Sequence, residues 1–545
     1  MDMKERNPNP FFFIIYFTIH EVRMKNIFGI LCLIIFFSPL RAQVVSDEQE
    51  TLTYIRANIE FLASDELEGR ESTTRGETIS SLYIAKELKK YGVKPFGDDE
   101  TYFQNFEVDV RWVDENSKVT FVSIDGETVH ELGEDFLLSK NPMPAEKYSG
   151  KNYEIVFAGY GVTAQDYGYD DYANIDVSGK VVLIFRDAPQ LEGEKIFSDD
   201  DHKKYSDPNY KIKTAVGNDA KGILLLPSSS ISKYWRWIKH RAISSSFKLV
   251  SEEEENEEAT IPVVLLSPET ANDLLSDEKF SFEEISEEVD NGKLSGSFSL
   301  NKTVRFDYKV YKEIRNSRNI IGIIEGTNEE LSAEYVTLGA HYDHVGIKEG
   351  EIYNGADDNG SGTVTILEAA RRLSLLNENQ RSILVIFHAA EEKGLLGSKY
   401  LTNNGAFMED LVVNINIDMV GRESIDSIFC IGSDMLSTEL YELVQVVNDE
   451  TVELVLDYTF DDPDDPNRYY YRSDHYNYAK QGIPIVFFYD HMLEDYHQPT
   501  DDVEKINFKK IEKISALITE LALRISNLDH KLLIDKLEEE GAGSY

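Results

Sequence analysis

The sequence predicts an α/β fold, a mostly parallel mixed sheet with helices on both faces, together with a β-rich inserted domain. Three observations carry that expectation. Between residues 315 and 525, the apolar runs "NIIGIIEG", "EYVTLGA", "SILVIFHAA", "LVVNINIDMV" and "IPIVFFYD" alternate with helical patterns such as "GTVTILEAARRLSLL" and "LSTELYELVQVVND". Strands separated by helices make parallel sheets, and runs without polar alternation belong to strands buried on both faces. From residue 106 to 300 the pattern shifts to short runs, "KVTFVSI", "YEIVFAGYGV", "KVVLIF" and "GILLLP", broken by Gly, Asp and Asn. The length of 545 residues also exceeds what one ordinary core serves, so more than one domain is expected.

Taken in chain order, residues 1–42 read as a signal peptide, with Met24 as the expected true start. Lys25 precedes an apolar run from Ile27 to Phe37, followed by Pro39 and the small residue Ala42. The run is shorter than the ~20 residues that span a bilayer, so the mature protein is expected to have no transmembrane segment. Cleavage removes Cys32 and leaves Cys430 alone, without a partner for an internal disulfide. A secreted or periplasmic location follows. Residues 45 to about 105 carry helical spacing, with Ile79, Leu82, Ala85 and Leu88 at intervals of three and Gly92 as a stop, and 43–119 are read as the first part of the domain that 301–530 completes. Residues 120–300 form the expected insert, in which "SEEEENEEAT" reads as a solvated loop. The α/β pattern fills 301–530, and 531–545 form a tail.

The net charge of -44 excludes nucleic acid as a partner, because binding a phosphate backbone needs a basic footprint.

The chemistry sits at the ends of the apolar runs. "EYVTLGA" leads into "GAHYDHVG", with His341, Asp343 and His344. "NGADDNGSG" places Asp357 and Asp358 in a glycine-rich loop that opens a helix. "SILVIFHAA" ends in Glu391 and Glu392, "LVVNINI" in Asp418, and "IPIVFFYD" runs on to His497 in "DYHQPTDD". In open α/β sheets, ligands gather outside the carboxyl ends of the strands. The glycine loop lacks the lysine of a phosphate-binding loop and offers two carboxylates instead. Adjacent acids at a buried strand end repel each other, and cations remove that conflict. Imidazole with carboxylate suits zinc, and manganese or cobalt less distinctively.

The ordered set "GAHYDHVG", "NGADDNGSG", "AAEEKGLLGS", "NINIDMVG" and "DYHQPTDD" resembles the zinc aminopeptidases of the M28 peptidase family over most of residues 318–507. Upstream, "FLASDELEGRESTTRGETISSLYIAKELKKYGVKPFG" is similar to the start of such enzymes, and "FAGYGVTAQDYGYDDYANIDVSGKVVLIFRD" to a protease-associated domain. The resemblance implies two zinc ions, His341 and Asp418 on one, Glu392 and His497 on the other, with Asp358 bridging them. It implies that Asp343 orients His341 and that Glu391 is the general base. Asp357 is then a loop residue, and His344 has no expected metal role. Tyr470, in "YYYRSDHYNY", matches a tyrosine that stabilises the oxyanion in some members. His388 reads as a core histidine, His475 as structural or supporting, and His491 as a weaker competitor of His497. "DDPDDP" reads as a solvated acidic turn rather than a calcium site.

The expected function is peptide-bond hydrolysis on peptide substrates, by an aminopeptidase releasing N-terminal residues. The alternatives are a carboxypeptidase, for which Arg472 is the one basic residue placed near the ligands, a glutaminyl cyclase, and a non-catalytic binding homologue. The M20 deacylases share a similar ligand order, but their extra domain falls between the Glu pair and the last His.

Overall fold

The structure is a computed structural model that describes residues 48–140, 147–148, 150–191, 194–250, 261–290, 296–422, 424–462, 465–491 and 494–536. The signal-peptide segment, the acidic run 251–260 and most of the C-terminal tail lie outside the described residues. Two compact units are present. One comprises the chain up to Asn105 and from Ser317 onward; the other is Phe106–Asn316.

In the first unit, helices α1 (Glu48–Leu62) and α2 (Arg75–Lys90) precede the sheet. The main strands of its sheet are the end of β1 (Phe298–Ile324), β2 (Tyr335–His341), β3 (Ser382–His388), β4 (Leu411–Asp418), β5 (Ser427–Ile431), β6 (Val455–Asp457) and β7 (Ile485–Tyr489). They lie in the order β1-β3-β2-β4-β7-β5-β6. The four central strands are parallel, with His341 beside His388 and Asp418 beside Tyr489. β3, β4 and β7 are buried along their whole length, as their unbroken apolar runs require. From β2 the chain goes to one neighbour, β3, and then returns to the other, β4. This reversal opens a crevice at the carboxyl end of β2, the place where such sheets bind ligands.

Helices α3 (Gly362–Leu376) and α7 (Phe508–Ser526) pack on each other, on α1 and on β2. Helices α4 (Leu396–Asn404) and α6 (His475–Ala479) pack together, and Leu401 and Tyr478 meet Leu384, Ile386 and Ile485 of the sheet. Helix α5 (Thr438–Thr451) lies beside α7.

The second unit differs from the sequence expectation in content and in boundary. Its centre is a parallel set of strands, Asn152–Phe157, Val181–Phe185, Gly222–Leu226 and Val263–Leu266, flanked by antiparallel partners. It also holds helices such as Pro208–Gly217, Ser229–Ile243 and Pro268–Leu275. "β-rich" therefore understates it. These helices have plain starts, since Asp207 and Ser267 accept the N–H of Asn209 and Thr270 ahead of a first-turn proline. The unit runs from 106 to 316 rather than 120 to 300, because Phe103–Val113 and Phe298–Ile324 are continuous strands with no break for a linker.

Candidate metal centre

The end of β2 delivers His341. Its Nδ1 faces the main-chain carbonyl of Asp343 at 3.1 Å, which leaves Nε2 for the crevice. Nε2 lies 3.1 Å from Asp418 Oδ1, 3.5 Å from Asp358 Oδ1 and 3.8 Å from Glu391 Oε2. Asp418 ends β4, and its other oxygen accepts from Ser473 Oγ at 2.8 Å. On the far side of Asp358, Oδ2 is 3.2 Å from His497 Nε2, which stands 2.9 Å from Glu392 Oε2. Asp358 thus turns one oxygen to each side.

Two groups of donor atoms result: His341, Asp358 and Asp418, and His344, Asp358, Glu392 and His497. The second contains His344, which the sequence reading left without a metal role. Its Nδ1 is 2.9 Å from Glu392 Oε1 and 3.7 Å from Asp358 Oδ2. Beyond the last strand residue the chain turns, so alternation no longer says which side chain points inward.

The donor chemistry fits zinc. Carboxylates and imidazoles converge in a buried space, and Arg70, the buried guanidinium near them, does not pair with the acids. Its hydrogen bonds go to the carbonyls of Tyr342, Leu62, Asn354 and Gly355. A cation between the carboxylates supplies the compensation that burial demands.

Asp343 departs from its expected role in detail. Its carboxylate is 3.8 Å from His341 Nδ1, farther than its own carbonyl, and it accepts instead from Ser72 Oγ and from the Glu391 N–H. Asp357 turns away from the donor groups, accepting the Gly421 N–H at 2.7 Å. Asp501 accepts the N–H groups of Asp357 and Asp358 and pairs with Arg422, which fixes the loop. Ala390, Met419 and His497 hold left-handed angles of φ 54, 50 and 52. Such angles cost non-glycine residues on the order of 1–2 kcal/mol each and cluster at functional sites.

The electrostatics separate the glutamate pair. Burial, reinforced by Glu392, Asp418 and Asp474, holds the Glu391 carboxyl well above its usual range, with His341 opposing. Burial acts the same way on Glu392, but His497 and His344 outweigh it and hold that carboxyl well below. Glu392 therefore stays anionic among imidazoles, while Glu391 retains affinity for a proton. For His497, burial disfavours the charge, yet Glu392 and Asp358 carry it up to about 10.

The cleft over the donors is lined by Met419, Tyr469, Arg472, Phe487, Tyr489 and Tyr496, with Glu391 at its floor. Tyr470 is not part of this lining. Its ring packs on Tyr471, His475 and Tyr476, and its carbonyl faces His475 Nε2 at 2.8 Å. Tyr496, stacked on His497 with ring centroids 3.9 Å apart, is a cleft tyrosine that lies near Asp358, Glu391 and Glu392, and the sequence reading does not include it although it precedes His497 in the same motif. His388 meets Tyr478, and burial lowers its pKa to about 3, so it is a neutral core histidine. His475 stacks on Phe487, and His491 bonds Tyr469. Neither belongs to a donor group. In the acidic turn, Asp461 accepts the Gly432 N–H, and Pro463 and Asp464 lie outside the described residues.

An open α/β sheet with imidazole and carboxylate donors gathered at its crevice is an α/β domain with a candidate metal site. The model of the family described as Peptidase family M28 matches residues 319–522, and this stretch is a peptidase family M28 domain. A "Probable leucine aminopeptidase" of Trichophyton verrucosum is 30% identical over 38% of this chain and 57% of its own length. Aminopeptidase YwaD of Bacillus subtilis is 32% identical over 38% of this chain and 44% of its own. The chain thus spans about half the length of the curated relatives it matches. Among solved structures, an aminopeptidase from Aneurinibacillus sp. strain AM-1 gives a TM-score of 0.55 at 18% identity, covering 89% of this chain and 96% of that one. That likeness concerns the fold.

Proposed function

We propose that this protein is a zinc aminopeptidase that uses two zinc ions to hydrolyse the first peptide bond of its substrates. The observation that carries the reading is Asp358, whose two oxygens face two donor groups, with Glu391 next to both and a member of neither. His341 and Asp418 would hold one ion, Glu392 and His497 the other, and Asp358 both. Zinc bound there supplies a Lewis acid for the scissile carbonyl and lowers the pKa of water toward neutrality.

Glu391 is the proton carrier. Its buried carboxylate takes a proton from the attacking water and returns it to the leaving amine, and its raised pKa suits both halves of that cycle. Tyr496 is placed to donate to the developing oxyanion, the part first given to Tyr470. The acids at the cleft floor suit a free α-ammonium group, and the relatives' names support an aminopeptidase. Arg472 on the cleft wall favours a second reading, a carboxypeptidase, in which it would receive the substrate carboxylate.

The order of charge, apolar run and small residue before residue 43 supports export, and the strands around "GKVVLIF" support a protease-associated type for the 106–316 unit. N-terminal sequencing of the exported protein tests the first. A panel of aminoacyl-nitroanilides, N-blocked peptides and N-terminal glutamine peptides tests the activity. Hydrolysis of the nitroanilides alone is the expected result, cleavage of blocked peptides from the carboxyl end would favour the carboxypeptidase, and pyroglutamate formation would favour the cyclase.

A further inference from the structure

We infer that His344 is a fourth protein ligand of one zinc position and makes the two positions unequal. One is filled and retentive; the other is open and exchangeable. The inference rests on the two-zinc reading and goes beyond it.

The His344 side chain is fully buried. Its Nδ1 comes within 2.9 Å of a Glu392 oxygen without completing a hydrogen bond to it, and Nε2 has no hydrogen-bond partner either. A bare imidazole nitrogen and a carboxylate oxygen are both acceptors, so this closeness is repulsive unless something positive lies between them. A shared proton would satisfy Nδ1 alone and leave Nε2 and the crowded carboxylates of Asp358 and Glu392 without a common partner. A shared cation would be such a partner, because donors around a zinc ion point at the ion and not at each other.

The ring is also held in place. The main-chain N–H of His344 donates to the Arg70 carbonyl at 3.3 Å, which fixes the backbone that carries the ring. Gly355, at φ +60, lies against the ring edge, and a Cβ there would come 2.5 Å from His344 Cδ2. The Gly355 carbonyl is in turn fixed by Arg70 at 2.9 Å. A ligand pre-oriented by its neighbours loses little freedom on binding.

The donor count then decides the asymmetry. His344, Asp358, Glu392 and His497 offer four protein donors, the number that would close a tetrahedral site of retained zinc. His341, Asp358 and Asp418 leave one position for water or substrate, the open arrangement of catalytic zinc. The open position is also the one beside Glu391, 3.8 Å from His341 Nε2.

The test is staged zinc removal from the full-length enzyme with dipicolinate, following zinc per chain and the X-ray absorption spectrum of what remains. The expected result is a plateau near one zinc per chain, whose retained ion shows about two imidazole nitrogens. In His344→Ala the plateau disappears, and the chelator concentration for half-loss of the second zinc falls about tenfold or more. Circular dichroism of the metal-free variant checks its fold, and the wild-type spectrum tests the ligand without any substitution. Two ions leaving together, a retained zinc with a single imidazole, or an unchanged plateau in a folded His344→Ala would each overturn the inference while leaving the two-zinc reading intact. Failure of the purified chain to bind zinc at all would overturn both.

Discussion

Ser72 and Asp343 stand 271 positions apart in the chain, and Ser72 Oγ donates to Asp343 Oδ2 at 2.8 Å in a fully enclosed contact. The other carboxylate oxygen accepts the Glu391 N–H at 3.1 Å. One side chain therefore ties the turn after His341 to the main chain of Glu391, the proposed proton carrier, and Ser72 anchors its other oxygen. Ser72→Ala is expected to lower zinc affinity or kcat by about 10–100-fold, the usual effect of losing a partner behind a ligand. Stability should fall by about 1–3 kcal/mol, because a buried carboxylate oxygen loses its donor. Zinc titration, kinetics and a melting curve on one preparation check this, and unchanged kinetics would remove Ser72 from the site.

The two glutamates after β3 should respond differently. Glu391→Gln should keep its zinc and its KM while kcat drops by roughly 10²–10⁴, because the amide still accepts a hydrogen bond but takes no proton. Glu392→Ala should lose zinc and, through it, activity. Metal analysis alongside kinetics decides. Zinc loss in Glu391→Gln, or full zinc in an inactive Glu392→Ala, would reverse the roles.

The tyrosines give a second pair. Tyr496→Phe is expected to reduce kcat by about 10²–10³ with little change in KM, the range for losing one oxyanion donor. Tyr470→Phe should change kcat much less, since Tyr470 is not among the residues that line the cleft. The opposite ranking in steady-state kinetics would restore Tyr470 to the site.

Glu77 should make stability depend on pH. Burial pushes its carboxyl up from 4.5 to about 8, although Ser317 Oγ and the Thr73 N–H donate to it. Between those values the folded chain keeps a proton that the unfolded chain has released. This contribution is complete below 4.5 and is lost as pH rises through about 8. Glu77→Gln should flatten that slope, and urea melts at pH 5 and pH 8 on both proteins measure it. Parallel losses in wild type and variant would show that Glu77 is not the group responsible.

The sequence by itself determined the sheet and which polar residues gather at its carboxyl edge. β3, β4 and β7 are readable because strands buried on both faces must be apolar throughout. The polar residues that end such strands must then emerge at one edge, which is why His341, Glu391, Glu392 and Asp418 could be gathered from spacing alone. What only the tertiary structure decided are the contacts between distant segments. Spacing does not say whether the turn after His341 points Asp343 or His344 inward; the Arg70 carbonyl and the Gly355 surface settle it. Ser72 behind Asp343, and Tyr496 rather than Tyr470 at the cleft, depend in the same way on packing. So does the 106–316 boundary, because a strand as long as Phe298–Ile324 carries no local mark of where one unit ends. Local rules fix what a segment is; which of its side chains meets a partner hundreds of residues away is set by the packing of the whole core.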